Sequence, residues 1–114
     1  MAGLAAALVL GTLGLGTGQK SYIASAQEKM PMMEVKIDNF TFGPAALTVS
    51  VGTTVTWINK DDIPHTVVST DDSKTFKSKV LDTDEKFSFT FSKAGTYPYF
   101  CSIHPKMTGK VIVQ

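Results

Sequence analysis

The stretch LTVSVGTTVTWIN, residues 47–59, alternates apolar and polar side chains on both sides of a single glycine. Before Gly52 the apolar residues fall at every second position, and Val55 and Trp57 continue that period after it. A period of two is typical of β-strands that bury one face, and a glycine between two such runs marks a turn. Residues 47–59 therefore predict two neighbouring strands and favour an all-β fold.

The same pattern continues in both directions from this stretch. Alternating segments recur at Val35 to Ile37 and at Phe87 to Phe91, and no segment shows the period of about 3.6 that an amphipathic helix needs. Turn-forming pairs such as Gly43-Pro44 and Ala94-Gly95 divide the segments at spacings of roughly 8–12 residues. Many short strands with regular turns predict one β-sandwich with Greek-key connections.

Residues 1–26 differ in composition from the rest. Residues 4–15 form an uncharged run of small and apolar side chains, Lys20 is the first charged residue, and Ala24-Ser25-Ala26 matches a small-x-small cleavage pattern. These features predict a secretory signal peptide at 1–26 and a periplasmic or otherwise exported protein. The basic residues that usually open such a peptide are missing, so an uncleaved anchor stays open, although the run is shorter than the ~20 residues that span a bilayer.

Residues 27–114 are predicted to form one domain, because a chain of 114 residues has room for one core and not two. All eleven basic residues are lysines, and ten acidic residues oppose them. This balance lacks the basic patch of a nucleic-acid-binding protein, so no nucleic-acid partner is expected. The exported domain is expected to be a monomer without stable membrane insertion, and its single cysteine, Cys101, cannot form a disulfide within the chain.

The segment Cys101-Ser102-Ile103-His104-Pro105-Lys106-Met107 carries the chemistry. It places a thiolate, an imidazole and a thioether on one short loop between two predicted strands, and a loop that short has to curl. His65 supplies a second imidazole from another part of the chain. Two imidazoles and a thiolate in a trigonal set, with a weak axial thioether, form a blue copper site. The residues predicted to bind one type 1 copper ion are therefore His65, Cys101, His104 and Met107.

Each of these residues alone has an ordinary explanation, since an isolated histidine is usually a surface residue and a methionine usually fills the core. Three potential ligands within seven residues instead indicate a metal site. Copper storage or delivery stays an alternative, because Met30, Met32 and Met33 form a cluster that suits Cu(I). Zinc can occupy the same ligands, although a thioether gives little reason to choose it. A copper enzyme is disfavoured, because both histidines of the chain are already used.

Three stretches resemble the cupredoxins, the type 1 blue copper family that includes plastocyanins and azurins, and within that family the amicyanins. Residues 55–59 with Pro64-His65 resemble the first ligand region, and residues 94–101 resemble the strand that leads into the copper thiolate. Residues 101–107 match the short amicyanin-type ligand loop, which is longer in plastocyanins and azurins. The resemblance covers roughly residues 33–114.

The resemblance implies an eight-stranded Greek-key β-sandwich with one copper ion near one end. It implies a carrier of single electrons that cycles between Cu(II) and Cu(I) and is not an enzyme. By the same resemblance, the partners are exported redox proteins. These are a dehydrogenase as electron donor and an acceptor such as a c-type cytochrome.

Four residues beside the predicted ligands are expected to support them: Asn59, Pro64, Thr66 and Pro105. Relatives commonly have asparagine where Thr66 stands, and it ties the two ligand loops together. A threonine hydroxyl has fewer donors and acceptors for that task. The backbone N–H of Thr66 is expected to donate to the Cys101 sulfur, which would raise the reduction potential. Pro105 has no N–H with which to add a further bond.

His104 is expected to lie nearest the surface and to serve as the electron port. The predicted partner surface around it consists of Ile63, Ile103, Pro105 and Lys106. Amicyanin-like loops tend to carry a bulky apolar residue at the position of Lys106, so the surface is expected to differ there. Further candidates for steering a partner by charge are Lys60, Asp61 and Asp62.

Overall fold

The computed structural model describes residues 32–114, so the predicted signal peptide and Met30 lie outside the described residues. The described range forms eight strands and contains no helix with the length and apolar character needed to cross a membrane. In chain order the strands are β1 (Met32–Asp38), β2 (Thr41–Gly43), β3 (Ala46–Val49), β4 (Thr53–Asn59), β5 (Val68–Ser69), β6 (Lys86–Phe91), β7 (Gly95–Phe100) and β8 (Thr108–Val113).

The strands form two four-stranded sheets, in the orders β2-β1-β4-β6 and β3-β8-β7-β5. Two pairs are parallel, β1 with β4 and β3 with β8, and the other pairs are antiparallel. Parallel neighbours cannot be joined by a tight hairpin, so the chain needs the longer connections that are typical of Greek-key folds. The all-β sandwich and the strand number expected from the sequence are confirmed.

The core is built around β4, which lies between β1 and β6. Val55 and Trp57 on this strand are fully buried, as the period of two predicts. Trp57 stacks on Phe76 with 5.5 Å between ring centroids, and it meets Tyr99 edge-on at 5.3 Å. Because Tyr99 belongs to β7, these aromatic contacts hold the two sheets together.

The period of two ends earlier than the sequence suggests, at Val51. This side chain is 49% exposed, and β3 stops at Val49. The N–H of Thr53 donates to the carbonyl of Ser50 at 3.1 Å, and Gly52 has a φ of 94°. The four residues from Ser50 to Thr53 therefore form a tight turn, which leaves Val51 outside the core.

Three loops meet at one end of the sandwich because of this strand order. β1 and β4 are parallel, and Ile37 lies opposite Asn59, so the segments 39–40 and 60–67 both begin at the same end of the sheet. In the other sheet β5 and β7 are antiparallel, so the loop before β5 and the loop after β7 also lie at one end of the sheet. Hydrogen bonds link the loop at 60–67 to the loop at 101–107, and the four predicted ligands lie on these two loops.

Tyr99 has a buried hydroxyl without a hydrogen-bond partner among residues 32–114. Burial raises the pKa of Tyr99 from 10.0 to about 12, because the phenolate would lose its hydration. The folded state therefore keeps the proton in a pH range where the unfolded chain loses it. The associated stability is fully present below pH 10 and is lost as the pH rises to about 12.

We expect Tyr99→Phe to flatten this alkaline loss of stability. Urea unfolding should show that the wild type loses about 1–2 kcal/mol more than the variant between pH 8 and pH 11. At pH 8 the variant should lie within about 1 kcal/mol of the wild type, because the hydroxyl has no partner to lose. If the free energy of unfolding falls equally with pH in the two proteins, the alkaline loss of stability does not come from Tyr99.

Candidate metal centre

Three predicted ligands converge at the end of the sandwich where the loops meet. One donor atom from each of His65, Cys101 and His104 lies within 4.8 Å of the other two. The Sγ atom of Cys101 is 3.7 Å from Nδ1 of His65 and 3.7 Å from Nδ1 of His104. Donors bound at about 2.0–2.3 Å around one ion in a trigonal set would lie at roughly this separation. The three side chains therefore already have the spacing that a single metal ion requires.

His65 is held by the packing of the loop on which it lies. Its backbone exchanges two hydrogen bonds with Leu81, His65 N–H to the Leu81 carbonyl at 3.1 Å and Leu81 N–H to the His65 carbonyl at 2.7 Å. The Asn59 side-chain amide donates to the carbonyls of Ile63 and Leu81 at 2.9 and 2.8 Å. These bonds fix the loop on both sides of the imidazole, which is fully buried.

The loop at 101–107 curls as its length requires. The Cys101 N–H donates to the Met107 carbonyl at 3.1 Å, and the Met107 N–H donates to the His104 carbonyl at 2.9 Å. Cys101 is fully buried, Met107 is 6% exposed, and His104 is half-buried. The loop therefore brings thiol, thioether and imidazole to the same end, with His104 nearest the solvent.

Thr66 ties the two ligand loops together, although it stands where relatives commonly have asparagine. Its backbone N–H donates to the Cys101 sulfur at 3.4 Å. Its hydroxyl oxygen accepts from the Ser102 N–H at 2.7 Å and lies 2.7 Å from the Ser102 hydroxyl. The shorter side chain thus makes the connection with the help of Ser102.

The environment of Cys101 favours the thiolate. Burial alone would raise the pKa of the thiol, but the hydrogen bond from the Thr66 N–H, together with the contacts that the sulfur makes with His65 and His104, outweighs burial and lowers the pKa to about 6. The ionised sulfur is the form that binds metals, and it predominates at neutral pH under these conditions. The site therefore offers a soft anionic ligand without a large cost of deprotonation.

Asp61 is a site residue that the sequence analysis assigned to the wrong role. Only 8% of its surface is exposed, so it is not available to steer a partner by charge. Its Oδ2 atom lies 2.9 Å from Nε2 of His65. The hydrogen bonds from the Phe40 N–H and from His65 lower the pKa of the Asp61 carboxyl, so it is ionised at neutral pH. The available signal was its position four residues before the ligand histidine.

Phe40 is a second residue that the sequence analysis missed. It lies in the two-residue turn between β1 and β2, where Asn39 and Phe40 have φ values of 52° and 58°. Its ring meets His104 and His65 edge-on, with centroids 5.1 and 5.9 Å away, and the residue is 50% exposed. A paired positive φ indicates a tight hairpin turn, in which asparagine followed by glycine is usual and phenylalanine is unusual.

The predicted partner surface divides into two parts. A groove of about 500 Å³ opens beside His104, and its walls are formed by Phe40, Ile103, His104, Pro105, Lys106 and Met107. Ile63 is half-buried and Pro64 is exposed, but neither lines this groove. Lys60 does not line the groove and forms an ion pair with Asp84 at 2.8 Å. Lys106 is the lysine that lines the groove.

Comparisons with known proteins agree with this site. The protein-family model of the cupredoxin-like domain matches residues 4–113 of the sequence. The chain is 36% identical over 98 residues to an amicyanin from Paracoccus denitrificans, which covers 83% of this chain and 75% of that protein. A purple cupredoxin from Nitrosopumilus maritimus superimposes with a TM-score of 0.68 and 35% identity, covering 72% of this chain and 99% of the other. The reduced state of an amicyanin variant with a proline replaced by phenylalanine superimposes with a TM-score of 0.69 and 37% sequence identity, and the match covers 73% of this chain and 82% of that chain.

Amicyanins, plastocyanins and a halocyanin are among the relatives, which supports a blue-copper electron-transfer function. The donor chemistry fits one copper ion, because a thiolate and a thioether suit Cu(I) and the imidazoles also suit Cu(II). A typical type 1 copper site is formed by His65, Cys101, His104 and Met107. The chain belongs to the cupredoxin family.

Proposed function

We propose that the protein is an exported electron carrier and not an enzyme, and that it moves single electrons between redox proteins. The observation that carries this proposal is the convergence of three donors: the Cys101 sulfur lies 3.7 Å from Nδ1 of His65 and 3.7 Å from Nδ1 of His104, with Cys101 and His65 fully buried. The bound copper would supply the Cu(II)/Cu(I) couple. With Met107 as a fourth ligand, such a set would leave no coordination position for a substrate, which favours electron transfer over catalysis.

The ligand roles follow from burial and loop position. His65, Cys101 and His104 would be the three strong ligands of the copper ion, and the Met107 thioether would be a weak fourth ligand. Backbone hydrogen bonds fix both loops, so we expect the donor atoms to move little between the two oxidation states. A site that moves little when its charge changes has a low barrier to electron transfer.

His104 is the residue through which we expect electrons to pass. It is half-buried and lines the groove, whereas His65 is fully buried. The groove walls are mainly apolar, and Ile103 is 42% exposed. A small apolar contact suits the weak, short-lived complexes of redox proteins, which often bury less than about 1,200 Å². By family resemblance we propose a dehydrogenase as the electron donor and an acceptor such as a c-type cytochrome.

The experiment that tests the function compares electron cycling with copper release. Copper-loaded protein should accept and return one electron per molecule over repeated cycles with small-molecule reductants and oxidants, while a Cu(I) chelator removes copper only slowly. Rapid loss of copper to a copper-free acceptor protein would instead support delivery. Met32 gives little support to delivery, because it lies at the start of β1 and is about 20 Å from the end that holds the site.

Lys106 is expected to set the charge of the docking surface. Lys106→Glu should slow reduction of an anionic oxidant such as hexacyanoferrate(III) and speed reduction of a cationic cobalt(III) complex, each by about threefold to tenfold at low salt. Lys93→Glu is the matched control, because Lys93 is exposed before β7 and therefore lies at the opposite end of the sandwich. If both variants change the two rates equally, Lys106 has no special place in docking.

Export and oligomeric state need separate tests. We propose that residues 1–26 are removed and that the remaining domain is a monomer. The intact mass of the protein isolated from the cell envelope fraction should correspond to a chain that begins at Gln27, and size exclusion should give the mass of one chain. A mass that includes residues 1–26 would indicate a retained anchor instead.

A further inference from the structure

The Asp61 carboxylate lies directly behind the imidazole of His65. Its Oδ2 atom accepts a hydrogen bond from the Phe40 backbone N–H at 3.0 Å and lies 2.9 Å from Nε2 of His65. Its Oδ1 atom accepts from the Asp62 N–H at 3.2 Å. The Asp61 side chain is 10% exposed and that of His65 is fully buried, so water competes little for this contact.

The carboxylate is fixed by its own backbone. The Asp61 N–H donates to Oδ1 of Asn59 at 2.8 Å, and the Asp61 carbonyl accepts from the Thr83 hydroxyl at 2.6 Å. The Asn59 amide in turn binds the carbonyls of Ile63 and Leu81. Asp61 is therefore held on the same framework that holds the His65 loop, and the 2.9 Å contact does not depend on a freely rotating side chain.

This contact has a chemical consequence for His65. An ionised carboxylate only accepts hydrogen bonds, so Nε2 of the imidazole has to carry the hydrogen. The lone pair of a neutral ring is then on Nδ1, which is the atom 3.7 Å from the Cys101 sulfur. Among residues 32–114, His104 has no carboxylate partner of this kind. The two histidines of the site are therefore not equivalent.

We propose that Asp61 is a positioning residue that selects the metal-binding tautomer of His65 and favours Cu(II) over Cu(I) by its negative charge. The proposal rests on the proposed ligand role of His65. A carboxylate behind a ligand imidazole makes the ring a stronger donor, and a fixed negative charge favours the ion with the higher positive charge. The same oxygen binds the Phe40 N–H, so Asp61 also connects the aromatic turn to the site.

Three variants separate the hydrogen bond from the charge. Asp61→Asn keeps an oxygen that can accept from Nε2 and removes the charge, whereas Asp61→Ala removes both. Asp62→Asn is the matched control, because Asp62 is the next residue in the chain, is exposed, and loses the same charge. Long-range proton–nitrogen NMR of the copper-free proteins gives the tautomer of His65, and competition with chelators gives the affinities for Cu(II) and Cu(I).

We expect the Nε2–H tautomer in the wild type, in Asp61→Asn and in Asp62→Asn, and a mixture of tautomers in Asp61→Ala. Cu(II) affinity should fall about 10- to 100-fold in Asp61→Ala, with a smaller change for Cu(I). Asp61→Asn should lower the ratio of Cu(II) to Cu(I) affinity by several fold, and Asp62→Asn should leave it within about twofold.

Two results would overturn the proposal. One is an Nδ1–H tautomer of His65 in the copper-free wild type, which can be observed even if Asp61→Ala does not fold. The other is an equal shift of the affinity ratio in Asp61→Asn and Asp62→Asn. The tautomer is measured without copper or a redox partner, so this proposal can fail while electron transfer stands, and the reverse also holds.

Discussion

Cys101→Ser is expected to abolish the intense visible absorption of the copper-loaded protein. That absorption arises when charge moves from a thiolate sulfur to Cu(II), and Cys101 is the single cysteine of the chain. A serine hydroxyl is a hard donor and stays protonated near neutral pH, so the remaining imidazoles should bind Cu(II) with a weak absorption. The measurement is the visible spectrum after one equivalent of Cu(II) is added to the copper-free variant.

The matched control for this substitution is Thr96→Ser. Thr96 lies on β7, the strand that leads to Cys101, but its side chain is exposed. The control should keep the full absorption, and unfolding curves should show that both variants are folded. An intense band that survives in Cys101→Ser would show that the sulfur is not a copper ligand.

Trp57→Ala is expected to have the largest effect on stability. The side chain is fully buried and packs against Phe87 of its own sheet at 5.7 Å, Tyr99 of the other sheet at 5.3 Å and Phe76 between β5 and β6 at 5.5 Å. Its indole N–H has no hydrogen-bond partner in residues 32–114, so the loss comes from packing and not from polar contacts. Truncation of a buried tryptophan costs about 3–5 kcal/mol, a large part of the 5–15 kcal/mol that is usual for a domain.

Urea unfolding at neutral pH measures this loss, with Val51→Ala as the control. Val51 is 49% exposed in the turn before β4, and its truncation should change the free energy of unfolding by less than about 0.5 kcal/mol. If Trp57→Ala lowers the free energy of unfolding by less than about 1 kcal/mol, the aromatic cluster is not the centre of the core.

The fold could be predicted because the strands carry their signal locally. The alternation at Val55 and Trp57 reports directly which face is buried, and both residues are buried as predicted. The signal fails at Val51, where the alternation of residue types runs on into a turn. Residue type alone does not show where a strand ends when the turn itself contains an apolar residue.

The site could be predicted only in part, and the reason is distance along the chain. The spacing of Cys101, His104 and Met107 on one loop is visible in the sequence because a short loop has to curl. Asp61 was assigned to the surface because aspartate in a turn is usually solvated, and only the packing of the loop after β4 buries it against His65. Phe40 could not be placed, because its contact with His104 depends on which strands become neighbours.

Titration of the copper-free protein with Cu(II), followed by visible absorption and electron paramagnetic resonance, tests most directly whether two imidazoles and a thiolate share one ion. The donor atoms of His65, Cys101 and His104 within 4.8 Å of one another predict one bound ion per chain, an intense charge-transfer band and a small copper hyperfine splitting. A pale solution with the wide hyperfine splitting of ordinary Cu(II) would contradict the type 1 site and the function built on it.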